Sequence, residues 1–137
     1  MKSKPMLTAA DVDAILAGAR AEATRNNWSV SISVVDDGGH LLGMMRLDGA
    51  SPMTAEMSLQ KAHTAALGRR ESRFYEELIN KGRFSFLSAP SFKAMLEGAV
   101  PIQYEGVVVG AVGVSGVKST DDAQIARAGI AAAGLGS

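Results

Sequence analysis

Ser29-Val30-Ser31-Ile32-Ser33-Val34-Val35-Asp36-Asp37-Gly38-Gly39-His40-Leu41-Leu42-Gly43-Met44-Met45-Arg46-Leu47 is the stretch on which the fold turns. From Trp28 to Val35, apolar residues at 30, 32 and 34 alternate with serines at 29, 31 and 33. That period of two reads as a half-buried strand. Asp36-Asp37-Gly38-Gly39 supplies residues that tolerate the backbone angles of a tight turn. His40 to Leu47 is then the returning strand, and the pair is a β-hairpin.

Working outward, the period changes on both sides. Thr8 to Arg25 places Val12, Ile15, Leu16, Ala19 and Ala23 at helical spacing, with Thr8 as cap, Asp11 three residues on and Asn26-Asn27 as the stop. Beyond the hairpin, Ser51-Pro52 opens a second helix to about Arg69, Ser as cap and Pro at the first position. Ala55, Leu59, Ala62 and Ala66 form its small-residue face. Glu71 to Asn80 reads as a shorter helix, Arg83 to Pro90 as a loop, and Ala99 to Tyr104 with Val107 to Val114 as a second hairpin turning at Glu105-Gly106. Ser119 or Thr120 caps a last helix, with Asp121 and Asp122 in its first turn. Helix, hairpin, helices, hairpin, helix is an α+β order, one sheet with helices packed on it, and residues 1–137 are expected to form one domain.

Composition narrows the function. Fourteen basic and fourteen acidic side chains leave no net charge, which removes the electrostatic case for nucleic acid or an anionic membrane as partner. Aromatics at 5% are too few for a base-stacking platform, and 47% apolar residues in a neutral chain favour a homo-oligomer. The absence of Cys removes thiol nucleophiles, disulfides and thiolate metal sites. Lys2 and Lys4 are followed by Asp11 and Asp13 rather than by an apolar signal core, so a cytoplasmic location is expected. No run of about 18 apolar residues exists to span a membrane.

Three segments carry candidate chemistry. In Gly110-Ala111-Val112-Gly113-Val114-Ser115-Gly116, glycines within a strand point to close backbone approach, by a packed helix or by a ligand in a shallow groove. Gly110, Gly113, Ser115 and Gly116 are therefore candidate binding residues, and the helix start that follows Lys118 suits an anion. In the first hairpin, Asp36 and Arg46 are expected to meet across the strands, as an ion pair or with Arg46 offering its fork to a carboxylate. On the second helix, Lys61 and His63 diverge by about 200°. His63 is either a hydrogen-bonded flank residue or an iron ligand. With only His40 and His63 available, a three-His zinc site is excluded. A Ser-His-Asp triad through Ser115 lacks the nucleophile-elbow pattern.

Val34-Val35-Asp36-Asp37-Gly38-Gly39-His40-Leu41 with Arg46-Leu47-Asp48-Gly49-Ala50 resembles the first block of the GlcG/HbpS family. Lys61-Ala62-His63-Thr64-Ala65 resembles its helix block. Gly98-Ala99-Val100-Pro101-Ile102, then Val109 to Gly116 and Asp122, resemble its last block. The likeness covers nearly the whole chain, in the family's order, and extends to the C-terminal haem-binding domain of PduO-type corrinoid adenosyltransferases. It departs at Gly98-Ala99, where the family usually has two glycines before the proline.

The resemblance implies a profilin-like fold, a five-stranded antiparallel sheet with helices on both faces, in a homo-oligomer, often an octamer. It implies haem as cofactor, with haem degradation in some members. On that basis His40 or His63 is the iron ligand, and Lys61, Arg46 or Lys118 meets the propionates. The alternative is a lyase, isomerase or hydrolase acting on a small organic acid, with Asp36, Asp48 or Lys61 moving a proton. A purely structural or interaction protein is the third reading.

Overall fold

The computed structural model describes all 137 residues. Its elements are α1 (Ala9–Arg25), β1 (Ser31–Asp36), β2 (Leu41–Arg46), α2 (Pro52–Gly68), α3 (Arg73–Asn80), a short 3-10 turn at Phe84–Ser88, β3 (Ala99–Tyr104), β4 (Val107–Ser115) and α4 (Ser119–Ala132). The sheet is antiparallel throughout, in the order β2-β1-β4-β3. Four strands stand where five were expected. A single bridge between Gln103 and Gly136 is all that lies outside β3.

α1 begins where its capping box sits. Thr8 Oγ1 accepts the Asp11 N–H at 3.2 Å, and the Asp11 carboxylate accepts the Thr8 N–H at 2.7 Å. That bonding holds the Asp11 carboxyl below its ordinary pKa. α4 is capped differently from expectation. Neither Ser119 nor Thr120 caps it; Lys118 is the N-cap without a side-chain bond, and Asp122 reaches back to accept the Val117 N–H at 3.1 Å.

Two cores flank the sheet. On one face α1 and α4 cover Ile32, Val34, Val100, Val112 and Val114 with Ile15, Ala19, Ile125 and Ile130. On the other, α2 lays Ala62, Ala65 and Ala66 on Val35, Ala99 and Ala111. The serines of β1 are therefore not solvent-facing as the alternation predicted. Ser31 Oγ lies 2.8 Å from Thr54 Oγ1 and Ser33 Oγ 2.7 Å from Ser58 Oγ, all four residues buried. Hydroxyl paired with hydroxyl lets a polar strand face be buried at little cost. The sheet-facing stripe of α2 is accordingly Thr54, Ser58, Lys61, Ala62 and Ala65, rotated from the small-residue face read along the sequence.

Candidate functional site

β1 leaves the sheet at Asp36, and that carboxylate shapes the turn beyond it. Its Oδ1 accepts the N–H groups of Gly38 and His40, each at 2.9 Å, while the Asp36 carbonyl accepts the Gly39 N–H at 3.0 Å. Asp side chains commonly nucleate turns in this way. The turn is anchored from outside by the Lys4 ammonium, 2.6 Å from the Asp37 carboxylate. The Lys4 hydrogen bond holds the Asp37 carboxyl below its ordinary pKa. From the end of α2, the Arg69 guanidinium donates to the Asp37 carbonyl.

Against this turn lies His63, with Nδ1 3.2 Å from the Gly39 carbonyl. A carbonyl can only accept, so Nδ1 is the donor here, and in the neutral ring the lone pair is the one on Nε2. Carbonyl-oriented imidazoles of this kind are the usual arrangement of metal-ligating histidines. Position 39 needs glycine twice over: its φ is +82°, and a Cβ there would stand 2.5 Å from His63 Nδ1. A recess of 370 Å³ opens beside the ring, lined by Gly39, His40, Leu41, Leu59, Gln60, His63 and Lys93. Both histidines of the chain thus face one cavity, with apolar walls and one cation. Lys93 is a residue that sequence reading missed, since it lies in the irregular segment after the 3-10 turn where no period marks a role.

Lys61 points the other way. It is 4% exposed, donates to the Val114 carbonyl at 3.1 Å and meets the Asp122 carboxylate at 3.3 Å. Burial raises the Asp122 carboxyl to about 6, against the opposing pull of the Lys61 cation. Lys61 is thereby occupied beneath the sheet and far from a free proton carrier or a propionate partner. Asp36 and Arg46 do not meet. The hairpin register pairs Arg46 with Ser31, at the opposite end of β1 from Asp36. Arg46 and Asp48 instead line a separate open recess of 640 Å³ with Arg20, Thr24, Asn27, Trp28 and Ser29. The three proton-carrier candidates, Asp36, Asp48 and Lys61, share no cavity.

The glycine-rich strand does not leave a groove within the chain. A Cβ on Gly113 would strike the Ser58 carbonyl and, at 2.6 Å, the Ala62 nitrogen, because the α2 backbone rests on it. On the opposite face Gly110 meets the Val35 carbonyl and Leu7, while Gly116 abuts the Ser29 carbonyl. Ser115 is 8% exposed beside Ser31. The close approach predicted for these glycines is real, and its occupant is protein. Lys118 is exposed at the start of α4 and does not line the histidine recess.

A four-stranded antiparallel sheet, helices on both faces and a histidine-lined recess where the first hairpin turn meets the central helix define a small α+β class with a candidate ligand site. The family model described as haem degrading protein HbpS-like matches residues 7–131, and the chain belongs to that family. It is 52% identical over 115 residues to Protein GlcG of Escherichia coli (strain K12), covering 84% of this chain and 85% of that one. Among solved structures, the Klebsiella pneumoniae protein ORFY superposes with a TM-score of 0.89 at 26% identity, over 97% of this chain and 94% of that one. The PduOC:Heme complex superposes at 0.87 and 22% identity, over 96% and 98%, a likeness of fold. No helix of the chain is long and apolar enough to cross a membrane.

Proposed function

We propose that this chain binds haem in the recess between the first hairpin turn and α2, and that it works as a homo-oligomer. The observation that carries the reading is His63, whose Nδ1–H is committed to the Gly39 carbonyl while the chain's other histidine lines the same cavity. The family's description names haem, and a protein of the same fold is known as a haem complex. Bound haem supplies a redox-active iron. The chain's own part is to present His63 Nε2, to hold the ring through Gly39, to exclude water with Leu41 and Leu59, and to offer Lys93 to a carboxylate. A recess of 370 Å³ is near the lower end of ligand-site volumes, about 300–1,000 Å³, so a macrocycle seated there stays partly open to solvent or to a neighbouring subunit.

Hemin titration tests the reading. A Soret band saturating at one hemin per chain is expected. His63→Ala should weaken binding at least about tenfold, as loss of a metal-shell group commonly does, and His40→Ala should weaken it less. A featureless absorption change at equimolar hemin would remove the proposal. Haem degradation is tested in the same sample by following the Soret band after ascorbate is added in air.

A second reading belongs to the 640 Å³ recess. Arg20 and Arg46 take part in none of the chain's ion pairs and face it together with Asp48. Two free guanidinium forks suit a small organic acid, with Asp48 placed to move a proton. A panel of hydroxy- and dicarboxylates that raises the melting temperature of the wild type but not of Arg46→Gln would favour it.

A further inference from the structure

The two edges of the sheet are finished differently. Along the free side of β3, the residues whose backbone groups point away from β4 are 99, 101 and 103. Ser72 takes up both groups of Ala99, its N–H donating to the Ala99 carbonyl at 3.1 Å and its Oγ accepting the Ala99 N–H at 3.0 Å. Pro101 has no N–H to offer. Gln103 exchanges two bonds with Gly136, at 2.8 and 3.0 Å. Every outward N–H on that edge is taken up or absent, which is one way soluble proteins discourage unwanted strand pairing.

The β2 edge has none of these devices. Met45 stands opposite Ile32 and Gly43 opposite Val34, and the Leu47 N–H donates to the Val30 carbonyl at 2.9 Å. In an antiparallel ladder only alternate residues bond the neighbour, so 43, 45 and 47 face β1 while Leu42, Met44 and Arg46 turn their N–H and C=O groups outward. No turn, cap or loop bond reaches those three. The strand carries neither Pro nor Lys, and Leu41, Leu42 and Met44 are 49%, 42% and 36% exposed. An apolar edge whose outward groups are free, in a sheet whose other edge offers no free N–H, is a pairing surface.

We propose that β2 pairs antiparallel with β2 of a second copy, about a twofold axis through Met44, to give one continuous eight-stranded sheet. Such an axis must pair outward-facing residues with each other, which leaves five centres, residues 42 to 46. A centre on Gly43 sets His40 against Arg46, and one on Met45 sets Leu42 against Asp48, so neither sets opposite charges across the seam. A centre on Arg46 sets two guanidinium groups directly opposite, and like charges there repel. A centre on Leu42 shortens the overlap and runs Arg46 against the Gly38 turn. A centre on Met44 pairs Leu42 with Arg46, Gly43 with Met45 and His40 with Asp48. The apolar middle meets itself, and the imidazole faces a carboxylate at both ends. The isologous match is what commits the surface to a second copy rather than to a foreign strand. It also brings Asp48 of the second copy to the rim of the histidine recess, so each ligand site is edged by both chains. The pairing itself is independent of which ligand occupies the recess.

The chain has no cysteine, so Met44→Cys installs a single thiol on the axis. Facing Cα atoms of a hydrogen-bonded antiparallel pair are about 5.5 Å apart, within the range of about 4.4–6.8 Å that a disulfide spans. Oxidised Met44→Cys should run as a covalent dimer, while Lys81→Cys, exposed at the end of α3 and outside the sheet, stays uncrosslinked. Met44→Lys should halve the sedimenting mass with an unchanged circular dichroism spectrum, and should release the amides of Leu42, Met44 and Arg46 to exchange while those of Gly43 and Met45 stay protected. Crosslinking of Met44→Cys no greater than that of Lys81→Cys, a wild type that sediments as a monomer, or an unchanged mass in Met44→Lys would each overturn the proposal. None of these measurements involves hemin, so failure here and failure of the haem reading are separable.

Discussion

Replacing Lys61 by Met tests whether the buried ion pair behaves as its surroundings dictate. Met keeps the volume of a side chain that is 4% exposed and deletes the cation facing Asp122. In the wild type, burial lifts the Asp122 carboxyl from 3.8 to about 6. A raised acid pKa means the fold prefers the protonated form. The associated stability is complete below 3.8 and is lost as pH climbs through about 6. At about 1.4 kcal/mol per pKa unit, ionising Asp122 costs the folded wild type about 3 kcal/mol. Without Lys61 the carboxyl rises further. If it stays protonated at pH 8, the cost measured against an unfolded carboxyl reaches about 6 kcal/mol. Lys61→Met should therefore be close to neutral at pH 5, where the carboxyl is already protonated. It should be destabilising by about 3 kcal/mol more at pH 8, in line with the cost of breaking one side of a buried pair. Denaturant unfolding at pH 5, 6, 7 and 8 gives the answer. A mutational cost that is flat across that range to within about 0.5 kcal/mol would refute the linkage argument.

Gly39→Ala forces a side chain onto a φ of +82° and into His63 Nδ1; a loss of about 1–3 kcal/mol on thermal unfolding and a weaker Soret response are both expected. Gly113→Ala drives a methyl group into the α2 backbone, and a destabilisation of about 1–3 kcal/mol is expected from the same melts. Ser33→Ala leaves the Ser58 hydroxyl with only the Ala55 carbonyl as partner and should cost about 1–2 kcal/mol. The double variant Ser33→Ala/Ser58→Ala should cost less than the sum of its singles, a coupling that a double-mutant cycle reads directly.

Local signals carry the elements well and the environment of each residue poorly. The Thr8–Asp11 capping box, the Ser51-Pro52 start and the Glu105-Gly106 turn are short-range chemistry, and the helices and strands begin and end close to where those residues place them. Serine at 31 and 33 reads as solvent-facing because a strand cannot announce that a helix will meet it with matching hydroxyls. Arg46 and Asp36 read as partners because both lie on one hairpin, but hairpin register is set by the turn, and a turn at 37–40 sends Arg46 to Ser31. Of the site, His40 and His63 are legible as the chain's only imidazoles. Lys93 and the Gly39 carbonyl are not, since one sits in aperiodic chain and the other is main chain.

The polar stripe on α2 explains how so small a domain can hold His63 steady. Thr54, Ser58 and Lys61 recur at spacings of four and three, the positions where a core-facing helix ordinarily presents apolar side chains. Each instead meets a specific polar partner: Ser31, Ser33, and the Val114 carbonyl with Asp122. Apolar stripes tolerate sliding, whereas hydrogen bonds at 2.7–3.3 Å across three successive turns admit one register. A slip of one residue would rotate α2 by about 100° and carry His63 away from the Gly39 carbonyl. Gly113 lets the helix backbone come close enough for those short side chains to reach. The buried serines, the buried ion pair and the strand glycine thus act on the recess without lining it, by fixing the rotation of the helix that carries its imidazole.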